Sequence, residues 1–370
     1  MATIREKNGR WYYTIDEYGD DKKRIRHEHF GGYTKADAQR AYRMAMMETD
    51  RTGKFFEPSN MLVEKFLQEW LEKEIVKNMK QNTIDSYSGL VKNHIIPTIG
   101  KIRLRELTPS FLQDFIQTLK DNGLSKSTIK SIHSVLKNSL MWAVANRKYL
   151  FNNPMLNVKI PRWFAAPAPL QIFTEEEIET IMAHYGEDHK LYLPLRIAYL
   201  TGMRKGEILA LQWSLIDMTQ RTIRIQSTMY DKTRIEIQST PKTMSSIRTI
   251  PFGQSLYIAL KRQQIWQQKN SIKYGAYYFD NDFVCTEENG NPLTSNDFRA
   301  FENFCHKKFG HGSMHIFRHT HATRLLESGL DLDYVSKRLG HASITVTANR
   351  YVSVTDKRDE KAIRLIDKIL

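Results

Sequence analysis

Between Phe151 and Ile172 the chain carries Pro154, Pro161, Pro167 and Pro169, with Ala165, Ala166 and Ala168 among them. Each proline fixes φ, removes a backbone donor and pushes the preceding residue toward extended backbone. Repeated prolines disfavour helix and central strand, so this stretch reads as a semi-extended linker and the main domain boundary. With 370 residues in all, two or three domains are expected, each able to bury its own core.

On the N-terminal side, residues 1 to about 50 form a small unit. Trp11 to Ile15 and Arg24 to Phe30 read as strands joined by a turn at Tyr18-Gly19-Asp20-Asp21. Gly31-Gly32 is expected to break the second strand, and Thr34 to cap a helix over Lys35 to Thr49. Lys22, Lys23, Arg24, Arg26, Arg40 and Arg43 interleave with aromatics here, a pattern suited to groove and phosphate contact. The alternative is a solvated charged face around a minimal core.

Residues 59 to 150 are almost wholly helical. Leu62, Phe66, Leu67, Trp70 and Leu71 recur at helical spacing, as do Ile84, Tyr87, Val91 and Ile95, with Pro97 expected to end that helix. Thr108-Pro109 opens a third helix through Leu119, and Ser125 or Ser127 a fourth through Leu140. These apolar stripes are core. Lys77, Lys80, Lys92, Lys126, Lys130 and Lys137 then form an outer face able to lie along a phosphate backbone.

Beyond the prolines, Thr174-Glu175-Glu176-Glu177 is a capping box that opens the last domain. A helix over Leu191 to Leu200 leads into Thr201-Gly202-Met203-Arg204, and Glu207 to Leu211 resumes it. Thr222 to Ile225, Arg234 to Gln238 and Arg248 to Pro251 read as a three-stranded meander. Ser313 is the expected N-cap of a helix that places His315 and Arg318 on one face and stops at Gly329. A short helix, Asp331 to Leu339, then delivers Gly340-His341, with Tyr351 ten residues later.

The formal net charge of +14 favours a polyanionic partner, nucleic acid before anionic membrane, against the bland alternative of a generally cationic protein. Only two cysteines occur, Cys285 and Cys305, which argues against a disulfide framework and suits a reducing cytosol. No apolar run is long enough to cross a membrane, and the first residues lack the apolar core of a signal peptide, so an intracellular protein is expected. Cys305, His306, His311, His315, His319 and His321 crowd together, yet their spacing matches no familiar zinc signature and HEXXH is absent, so no metal is expected.

The chemistry-bearing residues point to an anionic centre. A guanidinium grips phosphate oxygens through a rigid fork, imidazoles add hydrogen bonds, and a phenol can attack phosphorus. Arg204 follows a glycine turn at a helix start, near partly free N–H groups. Lys242 in Thr240-Pro241-Lys242-Thr243 follows the second meander strand, with Lys232 as its competitor, and an ammonium there can protonate a leaving alkoxide. Tyr351 beside Arg350 is the candidate nucleophile, and Tyr334 its weaker rival.

These stretches (TGMRKGE, TPKT followed by SSIRTIP, HIFRH, LGH and the tyrosine of ANRYVSV) resemble the tyrosine recombinases, in particular phage and conjugative-element integrases. The resemblance spans the chain and implies a mixed multi-domain fold. Residues 1–55 would be a small α/β arm-binding domain, a three-stranded sheet plus helix. Residues 59–152 would be an all-α core-binding bundle, and 172–370 a mainly α catalytic domain with a small antiparallel sheet and a C-terminal helix.

It also implies roles. Tyr351 would attack the scissile phosphate to give a 3′-phosphotyrosyl link, with Arg204 and Arg318 holding the non-bridging oxygens. Lys242 would act as general acid, His315 as base, and His341 would complete the phosphate's hydrogen-bond shell, with Glu207 orienting the site from behind. No nucleotide or metal cofactor is implied, because the bond energy stays in the phosphotyrosine. DNA contacts are expected from Lys22, Lys23, Arg24, Arg26, Lys80, Lys126, Lys130 and Arg248. The implied partner is double-stranded DNA with core and arm attachment sites, bound by a homotetramer in the cytoplasm of a bacterial host near the nucleoid. DNA-bending and excision factors are suggested only by the arm-like domain.

Two departures stand out: Arg350 precedes the tyrosine where many relatives carry Asp or Thr, and Ser353 follows where they carry His. The amphipathic stretch Asp356 to Leu370 would pack either on its own subunit or on a neighbouring one. Two rival functions stay open at this point. A type IB topoisomerase uses a similar residue set on one duplex, and a non-catalytic DNA-binding regulator would retain the fold alone.

Overall fold

The computed structural model describes residues 3–18, 24–52, 58–163, 169–231, 235–238, 247–341 and 343–350. The chain divides within the proline stretch, into units Met1–Ala166 and Pro167–Leu370.

The first unit opens with three antiparallel strands, β1 (Ile4–Lys7), β2 (Arg10–Tyr18) and β3 (Arg24–Gly32), paired in that order, and α1 (Lys35–Thr52) lies on them. Tyr13, Ile15 and Ala45 form the small core between sheet and helix. At Gly31-Gly32, where a break is expected, the register of β3 against β2 shifts at Gly31 and the strand ends at Gly32. A Cβ on Gly31 would stand 2.5 Å from the Ala38 Cα, so the same glycine also lets helix and sheet close on each other.

The bundle follows: α2 (Val63–Trp70), α3 (Gln81–Leu90), α4 (Pro109–Asp121) and α5 (Lys126–Ala145). Its core joins Phe66, Trp70, Ile95, Ile116, Ile132 and Leu136. Thr108 Oγ1 accepts from the Phe111 N–H and Ser125 Oγ from the Thr128 N–H, so the caps form where hydroxyls stood ready. Pro97 does not end its helix. A wider π turn, Val91–Ile95, sends the Ile96 N–H back to the Val91 carbonyl, and Ile96–Ile99 restarts with Pro97 in its first turn, where no donor is needed.

Sheet module and bundle lie in one unit, although a boundary is expected between residues 55 and 59. Arg10 Nη1 donates to the buried Glu106 at 3.1 Å, Tyr33 stacks on Phe111, and Phe151 packs against the Tyr13 cluster. The linker is also shorter than expected. Pro154–Asn157 forms a 3₁₀ turn whose Met155, with Val158 beyond it, is buried in the bundle core.

Among its described residues the second unit runs α6 (Glu175–His184), α7 (Tyr192–Thr201), α8 (Lys205–Leu209), five short strands, then α9 (Gln254–Tyr274), α10 (Arg299–Phe309), α11 (Met314–Glu327), α12 (Leu332–Leu339) and α13 (Ile344–Arg350). Phe173, Leu195, Ile208, Ile223, Ile250, Phe301 and Phe317 share its core, with the free, buried Cys285 and Cys305. The expected meander is replaced by two sheets. Strands β4 (Ile216–Asp217), β5 (Thr222–Ile225) and β8 (Arg248–Pro251) form one, while among the described residues β6 (Thr228–Tyr230) pairs with β7 (Glu236–Gln238). Strand β5 therefore meets β8 directly, because the β6–β7 hairpin leaves the sheet between them. No helix among the described residues is long and apolar enough to cross a membrane.

Candidate active site

Four segments meet in the second unit: the turn after α7, strand β8, helix α11 and the end of α12. The first is built on a left-handed glycine. Gly202 takes φ +69° after Thr201, and a Cβ there would stand 2.8 Å from His321 Cδ2 and 2.9 Å from Leu339 Cδ2. Both the angle and the space demand glycine. Thr201 Oγ1 steadies the turn by accepting from the Met203 N–H at 3.2 Å.

Arg204 follows at the head of α8. That helix is only five residues long, and the donor at its start is already engaged, since Glu207 Oε2 accepts the Arg204 N–H at 2.9 Å. The Arg204 guanidinium is the charged group this turn can present to an anion. Glu207 Oε1 accepts from Arg204 Nη1 at 2.8 Å, and Arg204 Nη2 reaches the Gly340 carbonyl at 3.4 Å. The Arg204 side chain is 39% exposed and that of Glu207 only 7%, so the arginine can meet a ligand that the glutamate cannot.

Arg248 grips the same carboxylate. Its Nη1 donates to Glu207 Oε1 at 3.1 Å, its Nη2 to Oε2 at 2.8 Å, and its Nε to the Arg338 carbonyl at 2.7 Å. The expectation that Arg248 contacts DNA is corrected. It shares a strand face with the buried Ile250, so the two-residue period of β8 turns it inward, and its side chain is 7% exposed. Burial pushes the Glu207 carboxyl up. The hydrogen bonds and charge of Arg248, with the charge of Arg204, outweigh burial and bring it down to about 2.

Helix α11 supplies Arg318, which is 2% exposed. Its Nη1 donates to the Gly202 carbonyl at 2.8 Å and its Nη2 to the Leu339 carbonyl at 2.6 Å. One guanidinium thus ties the turn before Arg204 to the turn before His341. Ser313 caps α11 by position but not by a side-chain hydrogen bond, and Gly329 ends it at φ +93°. His315 lies one turn before Arg318 at the surface, its ring 4.5 Å from that of His319. His341 follows the left-handed Gly340, and its Nδ1 pairs with Thr347 Oγ1 at 2.7 Å.

Two residues here escape sequence reasoning. Arg338 donates from Nε to His321 Nε2 at 3.1 Å, and from its other nitrogens to the Pro251 and Leu200 carbonyls. His321 also meets the Tyr199 carbonyl through Nδ1 at 2.9 Å. Burial, and then the charge of Arg338, push His321 down to about 4. The only local signals are the placement of His321 one helical turn after Phe317 and of Arg338 just before LGH, and neither reveals the pairing.

The structure therefore brings together Arg204, Glu207, Arg318 and the turn bearing His341, with His315 on the surface of the same helix as Arg318. Lys242 and Tyr351 lie outside the described residues, as do Lys22 and Lys23; of Arg24 only the backbone, in β3, is described. The remaining expected DNA contacts belong to the first unit. Arg26 is exposed and paired with Asp16 at 3.0 Å, Lys80 precedes α3, and Lys126 and Lys130 are exposed on α5. Among the described residues no group of three or more His, Cys, Asp or Glu side chains is arranged to hold a metal. Two arginines on one carboxylate, with Arg318 on the neighbouring Gly202 and Leu339 carbonyls, leave a net positive centre suited to a phosphodiester.

Comparison with known proteins gives a consistent picture. Residues 171–358 match the phage integrase family, and residues 62–120 match the phage integrase N-terminal SAM-like domain. A tyrosine recombinase XerC-like protein of Caldanaerobacter subterraneus subsp. tengcongensis is 29% identical over 98% of this chain and 97% of its own length. The integrase of transposon Tn1549, solved with transposon right end DNA, aligns with a TM-score of 0.65 at 22% identity, over 83% of this chain and 100% of that one. A lambda integrase tetramer bound to a Holliday junction aligns at 0.59 and 18% identity, over 94% of each chain.

Proposed function

This chain belongs to the phage integrase family and is a site-specific DNA recombinase of the tyrosine type, and we propose that it integrates and excises a mobile element through a nucleophilic attack by Tyr351. The observation that carries the reading is the pair of bonds made by Arg318. By holding the Gly202 and Leu339 carbonyls, it ties the turn before Arg204 to the turn before His341, which supports a shared phosphate site.

In this reading a scissile phosphate sits where Arg204 and Arg318 meet. The Tyr351 phenol attacks phosphorus as its proton passes to His315, a P–O bond to tyrosine forms, and the P–O5′ bond breaks. Lys242 protonates the departing 5′ oxygen. Arg204, Arg318 and His341 stabilise the charge that grows on the non-bridging oxygens. Glu207 does not react but fixes the Arg204 fork. The reverse steps, with a 5′-hydroxyl from the partner duplex, rejoin the strands without net hydrolysis and without a cofactor.

The first unit holds the duplex. Its bundle, through Lys80, Lys126 and Lys130, lies on the core site, and the sheet module with Lys22, Lys23, Arg24 and Arg26 binds arm sites. Four copies act on paired sites, a reading supported by the lambda integrase tetramer bound to a Holliday junction. DNA-bending and excision factors set the direction, and the work is done at the nucleoid of a bacterial host.

The test uses a suicide duplex carrying a nicked candidate core site, incubated without metal and run on a denaturing gel. Wild type should give a covalent protein–DNA band that Tyr351→Phe abolishes. A band surviving in the variant moves the nucleophile elsewhere. No band from either protein, with site binding demonstrated, leaves a DNA-binding regulator; relaxation of plasmid lacking attachment sites would favour a topoisomerase.

A further inference from the structure

We infer that Arg248 is a positioning residue for strand cleavage, a buried clamp that holds Glu207 and the end of α12 in one geometry so that Arg204 and His341 face the same phosphate. The inference rests on the recombinase reading above and adds a residue to it that never touches DNA.

Three observations carry it. First, the contact between Arg248 and Glu207 is a two-pronged fork, one nitrogen to each oxygen at 3.1 and 2.8 Å, with both side chains 7% exposed. Such a pair resists rotation, because each tilt that improves one bond weakens the other. Second, Glu207 Oε1 is the oxygen that also takes Arg204 Nη1, at 2.8 Å. A half-exposed arginine has a long, freely rotating stem; here its direction is inherited from a carboxylate that Arg248 holds still. Third, Arg248 reaches the other half of the site. Its Nε takes the Arg338 carbonyl at 2.7 Å, and a Cβ added to Gly340 would stand 2.9 Å from its Nη1. Gly340, in the left-handed region at φ +67°, is the residue before His341.

One guanidinium therefore joins α8, which carries Glu207 and begins just after Arg204, to the turn that carries His341. Arg318 joins the same two segments through backbone carbonyls, so the site has two crossing ties. The tie through Arg318 belongs to a residue proposed to meet the phosphate. The tie through Arg248 does not, and its effect on rate must act through Glu207 and Arg204. It also keeps Glu207 ionised, which Arg204 requires of its partner.

The experiment compares wild type, Arg248→Lys, Glu207→Gln and the double variant R248K/E207Q. Each is tested for thermal unfolding, for affinity to a core-site duplex, and for single-turnover covalent complex formation on the nicked suicide duplex between pH 5 and 8. Lysine keeps the charge but cannot fork. The expected result is that R248K binds DNA within about twofold of wild type yet forms the covalent complex about 100-fold more slowly, the scale on which small misplacements of reacting groups act. The double variant should be no more than about threefold slower than either single one, because both break one relay. Beyond the acid limb that the proposed base His315 gives every variant, R248K should show a second one that E207Q cannot, since glutamine does not titrate.

Wild-type cleavage by R248K overturns the inference. So does a slowing with an unchanged pH profile that multiplies with that of E207Q, since that marks two independent effects. Should R248K lose its fold, the neutral pair R248Q/E207Q is read instead. Its folded form should bind DNA and cleave slowly, and fast cleavage by it overturns the inference. A wild-type protein that binds its site but never forms the covalent complex removes the recombinase reading itself, and this inference with it.

Discussion

Arg338 donates from Nε to His321 Nε2 at 3.1 Å, and this sets the protonation state of a histidine inside the catalytic unit. Arginine has no acceptor to offer, so His321 Nε2 must carry its lone pair. The proton then sits on Nδ1, which donates to the Tyr199 carbonyl at 2.9 Å. The ring is neutral, 8% exposed, and packed where Gly202 admits no side chain. A structural imidazole thus stands beside a site whose proposed working histidines are His315 and His341.

Stability should fall in mild acid because of His321. Its ordinary value is 6.5 and the fold brings it to about 4, so the unfolded chain binds the extra proton between those limits. The contribution is complete above pH 6.5, shrinks as pH falls, and is gone near 4. The shift corresponds to about 3 kcal/mol at most. Urea unfolding at pH 7.5, 5.5 and 4.5 should show that slope in wild type and a smaller one in His321→Gln. Glu207 has the same sign but titrates below 4.5, so the window from 5 to 6.5 separates the two. Equal slopes in both proteins would refute the assignment.

Gly202→Ala should destabilise the second unit by about 2–4 kcal/mol, combining a left-handed backbone with overlap on His321 and Leu339. Gly310→Ala is the control. It shares a positive φ of +78° but has nothing within 4 Å of the new methyl, and should cost about 1 kcal/mol. Thermal unfolding of the pair decides whether the crowding around Gly202 is real. Equal losses would show that only the backbone angle matters.

Arg318→Lys should keep DNA binding and lose cleavage by about 100-fold or more, since an ammonium cannot span the Gly202 and Leu339 carbonyls and still hold a phosphate. It should also lower stability by about 1–3 kcal/mol, because one buried carbonyl loses its donor. Gel-shift affinity and the rate of covalent complex formation, measured on one preparation, test both. Cleavage at the wild-type rate would remove Arg318 from the site.

Lys126→Gln with Lys130→Gln should weaken core-site binding uniformly across sequences and reduce the salt slope of log K by about 2, close to one for each phosphate no longer neutralised. Both lysines are exposed on α5, so little stability is at stake. At saturating protein the rate of covalent complex formation should not change. An unchanged salt slope would move the duplex to another face of the bundle.

How much of this fold and site is legible in the chain depends on the range of the interaction. Thr108, Ser125 and Thr174 accept the hydrogen bonds their positions foretell, because a cap needs only a hydroxyl and the next turn of the same helix. The apolar stripes of the bundle are buried for the same local reason. Pro97 misleads, since a proline forbids a donor but not a π turn that makes the donor unnecessary. Gly31-Gly32 shows only half of its role, because the sequence marks where the strand is interrupted but not that a helix approaches Gly31.

The sequence by itself determined the helices, the caps, the Gly202 and Gly340 turns and the family motifs, all of which are set by residues a few positions apart. Only the tertiary structure decided that β5 pairs with β8, that Arg248 faces inward to Glu207, and that Arg318 bridges two turns 137 positions apart, Gly202 and Leu339. The physical reason is that a four-residue strand presents its arginine to solvent or core according to which neighbour it meets. That neighbour is chosen by packing across the whole unit rather than by the strand's own residues.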